Sequence, residues 1–198
     1  DDVELGAGGL VSRLVEQKTH QFKWIIFSRC EDSLPPTLPP DTLEREFKAS
    51  ANCLGIRDYE VLNFTARTMP QWRQSILETL IRLRRVYEPH LVLAPAMTDM
   101  HQDHATVAEE TLRAFKSSAT ILGYELPWNN LTFNAQLLVR LDSAHIARKC
   151  QALEHYESQV QLGRKYFSPE YILSWATTRG AMCRADYAES FEIFRDIW

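Results

Sequence analysis

The 198-residue sequence has no apolar run that approaches a membrane span: stretches such as Leu91 to Met97 fall far short of the ~20 residues a spanning helix needs. No basic segment followed by an apolar core opens the chain, so nothing marks it for export and a cytoplasmic location is expected. Cysteine is scarce. Cys30, Cys53, Cys150 and Cys183 are widely dispersed, form no CxxC pair, and in a chain of this length read as reduced, mostly buried thiols. Positive charge is not in excess either: 22 Lys plus Arg against 26 Asp plus Glu give a net charge of −4, which argues against a nucleic-acid partner. Gly6, Gly8 and Gly9 miss the final spacing of G-x-G-x-x-G and no Walker Lys-Ser/Thr follows, so a nucleotide cofactor is not indicated.

What is present is the makeup of a soluble packed domain, 45% hydrophobic and 24% charged, with length for one substantial core and no repeat or linker. Periodicity predicts a helix over Gly8–Gln17, a strand over Lys23–Ser28 and a proline-broken loop over Ser33–Pro40. A helix from Asp41 or Thr42 to about Leu54 follows, stopped by Gly55. A short strand at Tyr59–Asn63, a helix at Gln71–Tyr87, a buried strand at His90–Ala94 and a helix at Asp103–Phe115 come next. Further strands are predicted at Thr120–Glu125 and Phe133–Val139, helical periodicity over Ser143–Gly163 and Tyr171–Met182, and a closing strand at Phe191–Phe194. This βαβα alternation predicts an α/β, Rossmann-like, doubly wound and mostly parallel sheet in a single domain.

Two constellations carry chemistry. Asp1 and Asp2 precede the Gly6–Gly9 segment with no strand ahead of them, as though a βα unit had lost its strand. At the loop edge of a parallel sheet one carboxylate could bind a metal while the other moves protons; taken alone, the pair reads first as a solvated acidic terminus. Asp99-Met-His101-Gln102-Asp103-His104 places two imidazoles at i, i+3 where a strand gives way to a helix, with Asp103 in the helix's first turn. The plainer alternative makes Asp99 and Asp103 caps and both histidines surface residues.

Together the segments resemble the PIG-L/LmbE-like family of zinc-dependent N-deacetylases, whose motifs read His-Pro-Asp-Asp with a following Gly-Gly, and His-Pro-Asp-His. Asp1-Asp2, Gly8-Gly9 and His101-Gln102-Asp103-His104 match them. The similarity continues through Glu46, Ala49, Leu54-Gly55, Tyr156-Glu157-Ser158-Gln159, Arg179-Gly180 and Tyr187-Ala188-Glu189-Ser190-Phe191. Gln102 stands where the family has proline, a change expected only to loosen the loop. The first motif's His-Pro falls before residue 1, so the resemblance implies an N-terminally incomplete deacetylase domain over 1–198, apparently lacking its first strand and one histidine ligand, with poor zinc binding and doubtful activity in this form.

The resemblance implies Asp2 and His104 as zinc ligands, with Zn²⁺ or another divalent transition metal as cofactor. It implies Asp1 as general base, His101 as electrophilic partner and Asp103 as the residue orienting His101; Arg179 is read either as a substrate or phosphate contact or as a surface salt bridge or a structural turn with Gly180. The implied reaction removes the acetyl group from an N-acetylglucosamine-type sugar, nucleotide- or lipid-linked carriers included, and a homo-oligomer is compatible with it. A non-catalytic sugar or sugar-nucleotide binding homologue is the alternative, and hydrolysis of another amide is a third. Asp1 and His101 favour the enzyme, since a binding module needs no base. Trp128, Tyr166 and Trp175 are read either as sugar-stacking rings or as core.

Overall fold

A computed structural model describes residues 1–197. In chain order these form α1 (Asp2–Glu16), β1 (Trp24–Ile26), α2 (Thr42–Cys53), β2 (Tyr59–Val61), α3 (Arg73–Tyr87), β3 (Leu91–Pro95), α4 (Gln102–Phe115), β4 (Thr120–Tyr124), β5 (Leu137–Leu141), α5 (Ser143–Glu154), α6 (Glu157–Gln161), α7 (Pro169–Ala181) and β6 (Tyr187–Arg195). The chain divides into two compact units: the first holds Asp1, Val3–Ala66 and Leu138–Glu189, the second Asp2, Arg67–Leu137 and the chain from Ser190 onward.

In the first unit β1 and β2 pair in parallel, Trp24 against Tyr59 through Ile26 against Val61, with α2 as the crossover. Gly55, at φ +84°, ends α2 in the left-handed region that glycine adopts without penalty. Helix α1 begins six residues before the predicted start, with Asp2 in its first turn, and Glu4 through Ser12 are all buried. The Gly6–Gly9 segment is therefore helix interior, not a turn. A Cβ at Gly9 would lie 2.4 Å from Leu141 Cδ1 and 3.0 Å from Glu189 Oε1, so a bare backbone is what lets these neighbours close in. Glu189 Oε1 and Oε2 accept the N–H groups of Gly9 and Leu10 at 2.8 and 2.7 Å, and Oε1 also takes the buried Lys149 ammonium at 2.8 Å. Two helix glycines, each costing about 1 kcal/mol in a free helix, are offset by a packed ion pair that no larger residue would admit.

The second unit is built on β3 and β4, parallel from Leu91–Thr120 to Pro95–Tyr124 and joined through α4. β4 also pairs with β6, antiparallel, in the order β3-β4-β6-β5. The sheet is thus mixed: parallel where crossover helices join its strands, antiparallel where β6 returns. Ile76, Ala96, Ala108, Ile121, Leu126 and Phe191 are wholly buried here, each large side chain contributing about 1.5–3 kcal/mol on removal from water. β3 is exposed at Leu91 and buried at Ala94 and Pro95, so its C-terminal end runs under cover into the loop that carries the histidines.

Other boundaries moved modestly. β5 starts at Leu137, four residues late, because Gln136 turns its N–H to Asn134 O and Phe191 O. Helicity over 143–163 breaks between α5 and α6, where buried Tyr156 donates its hydroxyl to Glu4 Oε1 at 2.6 Å. The four cysteines are free and half-buried, more open than the sequence suggests. No helix among the described residues is long and apolar enough to cross a membrane.

Candidate active site

Ala96 extends the β3 ladder with one more bond to Tyr124 O, and the loop Met97–Met100 then leads into α4. Its register is fixed by a second loop. Asp99 bridges Asn130, Met100 N–H donates to Asn129 O at 3.0 Å, and Asn130 Nδ2 donates to Thr98 Oγ1 at 3.2 Å.

His101 is the N-cap of α4, in extended backbone conformation, and its Nδ1 accepts the Asp103 N–H at 3.2 Å. That bond leaves the proton of a neutral ring on Nε2, and the ring is exposed. His104 stacks against it one turn later, ring centroids 4.4 Å apart. His104 Nδ1 meets Asp99 Oδ2 at 2.8 Å and its Nε2 lies 3.4 Å from Asp2 Oδ2. Asp99, 5% exposed, also accepts the His101 N–H through Oδ1 at 2.7 Å. Asp99 is the site residue that sequence reading assigned only to a cap; its spacing of five residues from His104 was the available signal.

Electrostatics bind the group together. Burial works against a charged His104, but the carboxylates of Asp2 and Asp99 prevail and push its pKa up to about 10. Burial likewise works to raise the Asp2 carboxyl, yet His104 holds it well below the usual carboxylate range.

The donor chemistry suits a metal. One nitrogen and one oxygen 3.4 Å apart have the spacing of two ligands on a single tetrahedral zinc, about 3.3–3.5 Å from bonds of roughly 2.0–2.2 Å. Among the described residues no group of three or more His, Cys, Asp or Glu forms a metal-holding cluster.

The remaining predicted residues are placed as follows. Asp1 occupies the N-cap position of α1 and its side chain makes no cap hydrogen bond. Asp103 is buried, and its carboxylate does not reach for His101: Oδ2 accepts the Arg67 N–H and Oδ1 the Met69 N–H, the latter at 3.1 Å. Only its backbone N–H contacts the imidazole. Gln102 tightens rather than loosens the loop, since its Nε2 donates to Arg67 O. Arg67, held at both backbone groups by the first turn of α4, sits at φ +67°. Arg179 lies in the last turn of α7 in the first unit, half-buried, with Nη1 3.3 Å from Met182 Sδ. Trp175 carries Lys149 Nζ over its ring at 4.9 Å, and Tyr166 packs on Phe167 at 5.4 Å, so both rings serve packing. Trp128 is half-buried in the loop after β4.

Over 169 residues, 80% of this chain and 86% of the relative, the sequence is 27% identical to the uncharacterized deacetylase YaiS of Escherichia coli K12. Its fold matches the N,N'-diacetylchitobiose deacetylase of Pyrococcus horikoshii with a TM-score of 0.80, at 18% identity, covering 98% of this chain and 79% of that one. It also matches GalB, the 4-carboxy-2-hydroxymuconate hydratase of Pseudomonas putida KT2440, with a TM-score of 0.81 at 18% identity, covering 100% and 93%. The family profile described as GlcNAc-PI de-N-acetylase matches residues 1–115, the span that contains Asp1, Asp2, Asp99, His101, Asp103 and His104. The chain belongs to the PIG-L family.

Proposed function

We propose that residues 1–198 act as one metal-dependent N-deacetylase domain on an N-acetylglucosamine-type sugar or glycoconjugate, with Asp2 and His104 holding Zn²⁺ or another divalent transition metal. The observation that carries this reading is the 3.4 Å approach of Asp2 Oδ2 to His104 Nε2, with the other ring nitrogen occupied by Asp99. A bound metal supplies Lewis acidity and a water acidic enough to deprotonate near neutrality.

The chain's own residues do the rest. The Asp1 carboxylate takes the proton of the attacking water as the water oxygen bonds to the acetyl carbon. His101 presents Nε2–H to the carbonyl oxygen as negative charge develops there, a neutral donor made available by the bond at Nδ1. The C–N bond then breaks, and the departing amine leaves with the proton that Asp1 took from the water, giving an amino sugar and acetate. Arg179 is the residue proposed for substrate contact. Asp103 acts on His101 only through the backbone, by fixing the start of α4.

Acetate release from a panel of N-acetyl sugars and their nucleotide and lipid conjugates tests this, and Asp1→Asn should keep its metal while losing about 10²–10⁴ in turnover. Because the same fold serves a hydratase in Pseudomonas putida, the panel includes an unsaturated hydroxy acid. Water addition to it without acetate release from any amide would overturn the proposal.

A further inference from the structure

Asp99 has two carboxylate oxygens, and each is committed to a different histidine: Oδ2 to the ring of His104 at 2.8 Å, Oδ1 to the backbone N–H of His101 at 2.7 Å. The side chain is 1% exposed, so water does not compete for either oxygen. Asn129 Nδ2 lies 3.5 Å from Oδ2, and the Asp99–Asn130 bridge fixes the backbone behind it.

We infer that Asp99 is the positioning residue of the site: it keeps a proton on His104 Nδ1, so that the Nε2 lone pair is the one offered beside Asp2, while anchoring the N-cap that aims His101. The inference deepens the metal-dependent reading above and rests on it. The physical reason is the ambidexterity of imidazole. Either nitrogen of a neutral ring can carry the proton, and the partner of one nitrogen decides the role of the other. A carboxylate can only accept, so Asp99 forces Nδ1–H. Asparagine has a single acceptor oxygen. It cannot serve both histidines as acceptor, and with its NH₂ turned to His104 it would draw the proton to Nε2, the position the metal needs.

The test is Asp99→Asn in the full-length protein, read in two ways. Nitrogen NMR of labelled histidine in the metal-free protein, taken at a pH where the His104 ring is neutral, should show the proton on Nδ1 in the wild type and its loss from Nδ1 in the variant. Competition against a chelator should show zinc bound about 10–100-fold more weakly, the cost expected when a carboxylate behind a metal-bound histidine is removed. Circular dichroism should be unchanged. A wild-type His104 protonated on Nε2 alone overturns the assignment whatever the variant does, and so does a folded Asp99→Asn that keeps both its Nδ1–H signal and its zinc affinity. A wild type that shows Nδ1–H and loses it in the variant, yet takes up no zinc, supports the positioning role and overturns the metal-dependent reading instead.

Discussion

Glu189 and Asp99 are both sealed from water, 4% and 5% exposed, and each lies in a dense polar cluster. Their surroundings end differently. Around Glu189 the Gly9 and Leu10 N–H groups and the Lys149 ammonium meet the carboxylate oxygens, and the ammonium's remaining face is closed by Trp175. Asp99 is also well bonded, but the ring it holds turns its other nitrogen to Asp2 at a distance suited to a shared ion. Buried charge is thus a poor marker of function taken alone, because the fold uses it to lock α1 as readily as to hold a ring beside Asp2. The distinguishing feature is coordinating capacity left over after the fold's own needs are met.

The sharpest way to break that contrast is Lys149→Met. It strands Glu189 as an uncompensated buried carboxylate and should destabilise the protein by about 3–5 kcal/mol in chemical denaturation. Zinc affinity of the folded fraction should not change. A comparable loss of zinc affinity would mean that the two clusters are not separable in role.

Asp103→Asn comes next. An Asn amide has one acceptor where Arg67 and Met69 each present an N–H, so one donor is left unpaired and about 1–3 kcal/mol should be lost. Faster amide exchange confined to Arg67 and Met69 would locate the damage. If stability held while only the pH profile of turnover moved, the carboxylate would be acting on His101 after all.

For the metal-free protein, the Asp2–His104 pair sets a pH window. His104 is raised from 6.5 to about 10 on folding, so its contribution is whole below pH 6.5 and is lost as pH climbs toward 10. Asp2 is lowered from 3.8, so its share is present above that pH and is lost under more acid conditions. The stability difference between wild type and His104→Ala should therefore be widest near pH 4–6.5 and should close on the alkaline side. A gap that widened with rising pH would reverse the assignment of charge.

The smallest effect expected is at Arg67, whose φ of +67° is costly for a residue with a Cβ. Arg67→Gly should raise stability by up to about 1 kcal/mol, the relief being partly cancelled by the freer unfolded chain. Thermal melts check it; a fall would show that the guanidinium contributes more than the strain costs.

Much of this was legible in the chain. Alternating periodicities located β3, α4 and β4 to within one residue at nearly every boundary, because each carries an apolar stripe and ends on ordinary stop signals. His101 and His104 were legible as residues at a strand-to-helix junction. The true start of α1 was not legible, since a glycine-rich segment is a poor helix former and what lets the helix run through Gly8 and Gly9 is their packing against Lys149, Leu141 and Glu189, more than 130 residues downstream. The antiparallel return of β6 was hidden for the same reason: strand direction is set by long-range pairing, not by alternation. Asp99 carries its meaning through a bond to a ring one helical turn away, and as a residue type it is indistinguishable from a cap.

The measurement closest to the central claim is the metal content of the purified full-length protein, wild type against His104→Ala and Asp2→Asn, by elemental analysis after dialysis. The wild-type chain should carry one divalent metal ion and either variant almost none, with circular dichroism unchanged. Equal metal in all three would contradict that claim, because Asp2 and His104 would then be an ion pair and not a pair of ligands.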